Sequence, residues 1–166
     1  MQSNTRTLLV CLMSVWLNAC ATMGTVPANL PDAALDTSDD TSFELSSLKG
    51  SVVLVDFWAT WCKPCQFALP EYKKLHEEYA KAGLKVVAIS VDHDKTALRR
   101  YLRKTPVPFP VLRDPKGRFA QVMGVLTMPT TFLIDRSGKI RAFFPGFSTK
   151  TLTRLTSRLK ELLAEN

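Results

Sequence analysis

The sequence is short of groups that could hold a metal or read a nucleic acid. It has two histidines, His76 and His93, and four cysteines, Cys11, Cys20, Cys62 and Cys65. A structural zinc site takes about four Cys or His ligands. No second CxxC and no close Cys/His pair completes such a set, so no metal ligands are assigned and no cofactor is expected. The two histidines stand apart and read as surface residues. No basic stretch is interleaved with aromatics, so the net charge of +7 describes a basic surface and no nucleic-acid partner is expected. Such a surface suits an acidic partner or an anionic membrane. Internal repeats are missing. A length of 166 residues fits one ordinary domain. A composition of 46% hydrophobic and 22% charged residues fits a globular chain with a real core.

The apolar run at residues 7–17 follows the lone basic residue Arg6. It is too short to span a bilayer and has the length of a secretion-signal core. It ends in Leu17-Asn18-Ala19-Cys20, which resembles a bacterial lipobox, with Asn18 departing from the usual small residue. Residues 1–19 are therefore expected to be a lipoprotein-type signal peptide, with Cys20 as the lipidated residue; cleavage elsewhere would give a soluble secreted protein. Loss of Cys11 with the signal, and of the Cys20 thiol to lipid, would leave one possible internal disulfide. Residues 20–41, poor in large apolar side chains and rich in Pro, Asp, Ser and Thr, read as a tether, the alternative being an N-terminal segment that partly docks on the domain. The folded domain is expected over 42–166.

That domain alternates strand and helix patterns. Residues 52–57 are a β-branched apolar run broken by Asp56, the mark of a strand buried on both faces. Ala68, Tyr72, Leu75 and Tyr79 recur at helical spacing over 63–81, with Pro70 inside and Gly83 placed to end the helix. A second buried strand is expected at 86–91, a helix capped by Asp94 through Lys104, and a brief strand at 109–112. Residues 130–134 and 140–144 flank Asp135-Arg136-Ser137-Gly138 and read as a hairpin. A closing helix follows Ser148, with Leu152, Leu155, Leu159 and Leu162 on one face. The order predicts an α/β mixed sheet flanked by helices.

The chemistry is concentrated in Val55-Asp56-Phe57-Trp58-Ala59-Thr60-Trp61-Cys62-Lys63-Pro64-Cys65. A buried strand leads through a short turn into a helix that opens at the first cysteine. Residues i and i+3 in a first helical turn lie with Cα atoms about 5–6 Å apart, which suits a disulfide that opens and closes with little backbone motion. Unpaired N–H groups and the helix dipole at Cys62 favour its thiolate, the attacking species in exchange. Cys65, one turn deeper, would resolve the mixed disulfide. A base is needed for that step, and Asp56, set in apolar surroundings, has the raised affinity for a proton that such a base requires. A purely structural bond across two residues would be a poor staple.

These residues resemble the thioredoxin superfamily, and within it the membrane-tethered TlpA/ResA-like thiol–disulfide oxidoreductases. The likeness runs from about Phe43 to the C-terminus and rests on FWATWCKPC, Pro70 and Met128-Pro129-Thr130-Thr131. It implies a thioredoxin-like sheet with a TlpA-like helix-and-strand insertion at 92–112, and a cis Pro129 that brings the Met128 backbone to the sulfurs. It also implies a substrate groove bordered by Trp61, Met128, Pro129 and Gly146. Two departures stand out: Ala68 replaces a glutamate of some ResA-like proteins, and Ala88 replaces thioredoxin's lysine beside the buried aspartate.

The expected function is exchange between the CxxC dithiol and protein disulfides, as a reductase, in the bacterial periplasm. The expected partners are protein disulfide or dithiol substrates, a membrane thiol donor and the membrane itself, through the lipid on Cys20. The protein is expected to be a monomer. The resemblance also implies reduction of cytochrome c haem-site cysteines. A Cu(I) carrier using both thiolates, with Met128 as a third soft ligand, is the alternative; substrate oxidation is the reverse direction of the same chemistry. A thiol peroxidase lacks its Thr/Ser-x-x-Cys site.

Overall fold

A computed structural model describes residues 25–165. Its centre is a five-stranded mixed sheet built on β3 (Val52–Trp58), the strand whose seven residues are all buried. On one side β3 pairs in parallel with β4 (Leu84–Ser90), and β4 with β5 (Val111–Arg113). On the other it pairs antiparallel with β6 (Thr130–Ile134), which forms a hairpin with β7 (Ile140–Pro145). The sheet order is β5-β4-β3-β6-β7. The hairpin turn is held by Asp135, whose Oδ1 accepts from the Ser137 and Lys139 amides at 3.0 and 3.1 Å.

Alternation along β3 sends Val52, Leu54, Asp56 and Trp58 to one face. There α1 (Lys63–Tyr79), α2 (Lys95–Lys104) and α4 (Thr149–Ala164) bury Ala68, Leu69, Tyr72, Leu98, Leu155 and Leu159 against the sheet. The helix α1 continues through Pro70, and Gly83 at φ +100° follows its last turn. Asp94 caps α2 by accepting from Thr96 N–H at 2.7 Å, and Ser148 caps α4 through Thr151 N–H at 3.1 Å. The stretch α2–β5 is the expected helix-and-strand insertion, with β5 starting two residues and ending one residue later than its apolar pattern suggests.

The opposite face carries Val53, Val55, Phe57, Ile89 and Phe132 and, over residues 25–41, corrects the reading of a tether. Among the described residues, α3 (Arg118–Val122), a 3-10 turn at Leu45–Leu48, and Phe43, Met123 and Val125 cover part of it. Val26, Leu30, Ala33 and Leu35 complete the cover. The segment is also stitched in place. Ile140 N–H donates to Ala28 O and Leu30 N–H to Gly138 O, both at 2.9 Å. β1 (Ala34–Asp36) pairs antiparallel with β2 (Ser42–Glu44). Asp40 receives Lys95 and Arg99, so the basic α2 is partly neutralised by the segment laid beside it. The expected signal peptide, residues 1–19, and Cys20 lie outside the described residues.

Candidate active site

Cys62 stands at the N-cap of α1 with an extended backbone (φ −85°, ψ 104°), and Cys65 begins the buried stripe of that helix. The two are joined as a disulfide with Cα atoms 5.3 Å apart, so the structure is the oxidised state. The Cys65 N–H points at Cys62 Sγ, 3.3 Å away, which is the orientation that would stabilise a thiolate there. Cys62 keeps 5% of its surface exposed and Cys65 none. Pro64 falls in the first helical turn, where a missing N–H costs little.

The turn from β3 into α1 is fastened from below. Asp92, just past β4, is buried and accepts from Thr60 N–H at 2.9 Å, Thr60 Oγ1 at 2.6 Å and Ser90 Oγ at 2.8 Å. Gln66 Nε2 donates to Thr60 O at 2.7 Å from the helix side. Sequence reasoning passed over Asp92. Its signal was a carboxylate two residues past the buried strand run Val86–Ser90, where such a group must find donors.

Asp56 is fully buried, facing Thr131 on β6 and Ala88 on β4. Thr131 Oγ1 donates to its Oδ1 at 2.9 Å, and Oδ2 has no hydrogen-bond partner. Burial pushes the Asp56 carboxyl well above the ordinary carboxylate range, against the smaller opposing pull of the Thr131 hydroxyl. Ala68 is buried on α1 and supplies no second acid.

The Met128–Pro129 peptide bond is cis. Pro129 O accepts from Gly146 N–H at 2.7 Å, and Gly146 sits at φ +74°, a conformation that favours glycine. Trp61 is two-thirds exposed and joins Val91, His93, Val125, Leu126 and Met128 around a groove of about 430 Å³. Pro129 and Gly146 do not line it. Among the described residues no group of three or more His, Cys, Asp or Glu side chains could hold a metal ion.

Comparison with known proteins places this geometry in a family. The model of the AhpC/TSA family matches residues 26–143, and the chain belongs to that family of thioredoxin-like proteins. It is a thiol–disulfide oxidoreductase. It is similar to the thiol-disulfide oxidoreductase ResA of Bacillus thuringiensis subsp. konkukian, 32% identical over 72% of this chain and 69% of that one. The ResA of Geobacillus thermodenitrificans is 32% identical over 75% and 72%. Among solved structures, a thiol:disulfide interchange protein DsbE from Chlorobium tepidum superposes with a TM-score of 0.80 at 34% identity, covering 84% of this chain and all of that one. An exposed lipoprotein thioredoxin of Streptococcus pneumoniae gives 0.69 at 29%, covering 80% of this chain and all of that one.

Proposed function

We propose that the protein is a reductase of protein disulfides outside the cytoplasm, with Cys62 as its attacking sulfur. The carrying observation is the asymmetry of the pair: Cys62 is at the helix N-cap with some surface open, and Cys65 has none. In the dithiol state the Cys62 thiolate attacks one sulfur of a substrate disulfide and expels the other as a thiolate. Asp56 takes the proton of Cys65. The Cys65 thiolate then attacks Cys62 Sγ and releases the second substrate thiolate. Two electrons have passed to the substrate and the protein is left in the disulfide form described here. A membrane thiol donor returns it to the dithiol.

The groove beside Trp61 and Met128 supplies an apolar seat for the substrate chain, and the backbone at Met128, with Pro129 and Gly146 behind it, supplies a strand edge for pairing. The anchor would be close by. Val26 is already packed on the domain, and a Cβ on Gly124, which lines this groove, would lie 3.0 Å from the Thr25 backbone. A lipid on Cys20 would thus lie within about 18 Å of Thr25, five residues on at roughly 3.5 Å each. The site would work close to the bilayer surface as a monomer. Haem-site cysteines of cytochrome c are the substrate the family resemblance suggests.

The test is a trap. Cys65→Ser should accumulate disulfide-linked adducts with the physiological substrates, whose identification also decides the cytochrome c role, whereas Cys62→Ser should accumulate none. The opposite pattern would reverse the assignment of the two sulfurs. Cys20→Ser should release the protein from the membrane fraction; retention there would remove the lipid anchor.

A further inference from the structure

Two hydroxyls in the core form a chain that ends on Asp56. The Tyr72 hydroxyl lies 2.7 Å from Thr131 Oγ1, and Thr131 Oγ1 lies 2.9 Å from Asp56 Oδ1. Tyr72 is 1% exposed, Thr131 and Asp56 not at all. Thr131 has a single proton. When Asp56 is ionised that proton goes to the carboxylate, so Tyr72 must donate to Thr131, and each hydroxyl proton is used. When Asp56 carries a proton on Oδ1, the chain must run the other way and the Tyr72 proton loses this acceptor. A proton on the unpartnered Oδ2 would keep the chain but leave it bonded to a neutral acid, a weaker acceptor than a carboxylate. In either case the chain favours the ionised form.

Among the described residues no lysine, arginine or histidine is buried to share this task. Ala88 stands opposite Asp56 on β4. Of the buried side chains in the core on that face, the titratable ones are Cys62 and Cys65, here in disulfide, and Tyr72; α4 contributes Leu155, Leu159 and Leu162. The three polar groups come from α1, β3 and β6, so the chain also ties the cysteine-bearing helix to the strand that follows Pro129.

We propose that Tyr72 and Thr131 are positioning residues that hold Asp56 by a serial hydroxyl chain, in the place of a charged partner, and so set the pH at which it accepts the Cys65 proton. This rests on the reading of Asp56 as the base of the resolving step. Burial alone would hold the carboxyl protonated over a wide pH range. Two donors in series pull its midpoint down, and a neutral donor does this without adding a competing charge beside the thiolates.

The experiment separates the two ideas. Oxidised full-length protein, labelled with carbon-13 at the aspartate carboxyls, is titrated by NMR, with Asp56→Asn identifying the Asp56 signal. Thr131→Val should raise the Asp56 midpoint by about one to two pH units, the worth of a hydrogen bond to a charged group. Tyr72→Phe, which keeps the ring and its packing, should raise it by less. Thr131→Ser, which restores the hydroxyl, should bring it back to the wild-type value. The pH profile of mixed-disulfide resolution should move alkaline in the same order. A Tyr72→Phe or Thr131→Val protein that is folded and titrates as wild type overturns the chain. Midpoints that move while Asp56→Asn leaves the resolution rate unchanged at every pH would sustain the chain and remove Asp56 as the base.

Discussion

Replacing Asp92 by alanine should loosen the reactive turn and destabilise the domain together. The buried carboxylate takes two donors from Thr60, at 2.9 and 2.6 Å, and one from Ser90 at 2.8 Å. Hydrogen bonds to a charged group contribute about 1.5–3 kcal/mol each. The three are coupled, and Ser90 Oγ retains the Asp92 N–H as a donor at 3.1 Å, so a simple sum overstates the loss. A cost of about 3 kcal/mol is the reasonable figure, since Thr60 N–H and its hydroxyl lose an acceptor that water replaces incompletely. For a domain of this size that lowers Tm by roughly 10 °C. Urea unfolding of the oxidised protein measures the first effect. Iodoacetamide reactivity of Cys62 against pH in the reduced protein measures the second, because Thr60 lies two residues before that sulfur and its displacement should turn Sγ away from the Cys65 N–H. The thiolate should then form at higher pH. Asp92→Asn keeps one acceptor oxygen and should cost about half as much. An alanine variant that loses less than about 1 kcal/mol and keeps its Cys62 reactivity profile would refute the claim that Asp92 holds the turn.

Other substitutions probe the rest of the frame. Gly146→Ala should cost about 1 kcal/mol by chemical denaturation, because φ +74° is strained for a side chain even though a Cβ there meets nothing within 4 Å. Gly124→Ala should cost more than that, since its Cβ would also meet the Thr25 backbone at 3.0 Å. Leu35→Asp should destabilise the domain by about 2 kcal/mol and increase binding of an apolar dye, because Leu35 covers the second face of the sheet; a wild-type denaturation midpoint would mean the segment is dispensable. Asp56→Asn should stabilise the folded protein above the acid range. The folded carboxyl is raised above its unfolded value of about 3.8, so stability is lost as pH climbs from there through the folded value, at about 1.4 kcal/mol per pH unit. A variant with the same pH–stability curve as wild type would show that Asp56 ionises as easily in the fold as out of it.

Much of this could be read along the chain, and what could not has identifiable causes. The strand over 52–57 was legible as a β-branched apolar run, and the helix behind the cysteines and the closing leucine face were legible as long periodic patterns. The cysteine spacing was legible because i and i+3 meet in a first turn, and the observed 5.3 Å between Cα atoms lies within that expectation. Residues 25–41 were misread because their apolar residues, Val26, Leu30 and Leu35, have neither strand nor helix spacing; they are placed by the hollow they fill. The five-residue α3 is too short for a period to show, and is fixed instead by Asp114 Oδ2 accepting from Ala120 N–H at 2.8 Å. Tyr72 was legible as a core position by its spacing, while its hydroxyl partner, 59 residues away, was not.

That last case points to a general property of this fold. A buried polar side chain costs free energy unless something accepts or donates to it. Asp56, Ser90, Asp92, Asp114, Thr130 and Thr131 are buried here. Each is bonded to a loop, a cap or another member of the set. Ser90 and Asp92 hold the turn before Cys62. Thr130 Oγ1 donates to Thr127 O at 2.8 Å and braces the loop that carries Pro129. Thr131 and Asp56 join β6 to β3. All of them but Asp114 serve segments that border the disulfide. Apolar packing could have filled those positions at lower cost, but packing is non-directional and would not fix a sulfur to within a fraction of an ångström. Polar residues interrupting buried strands are therefore the marks by which an exchange site of this kind can be located before its cysteines are considered.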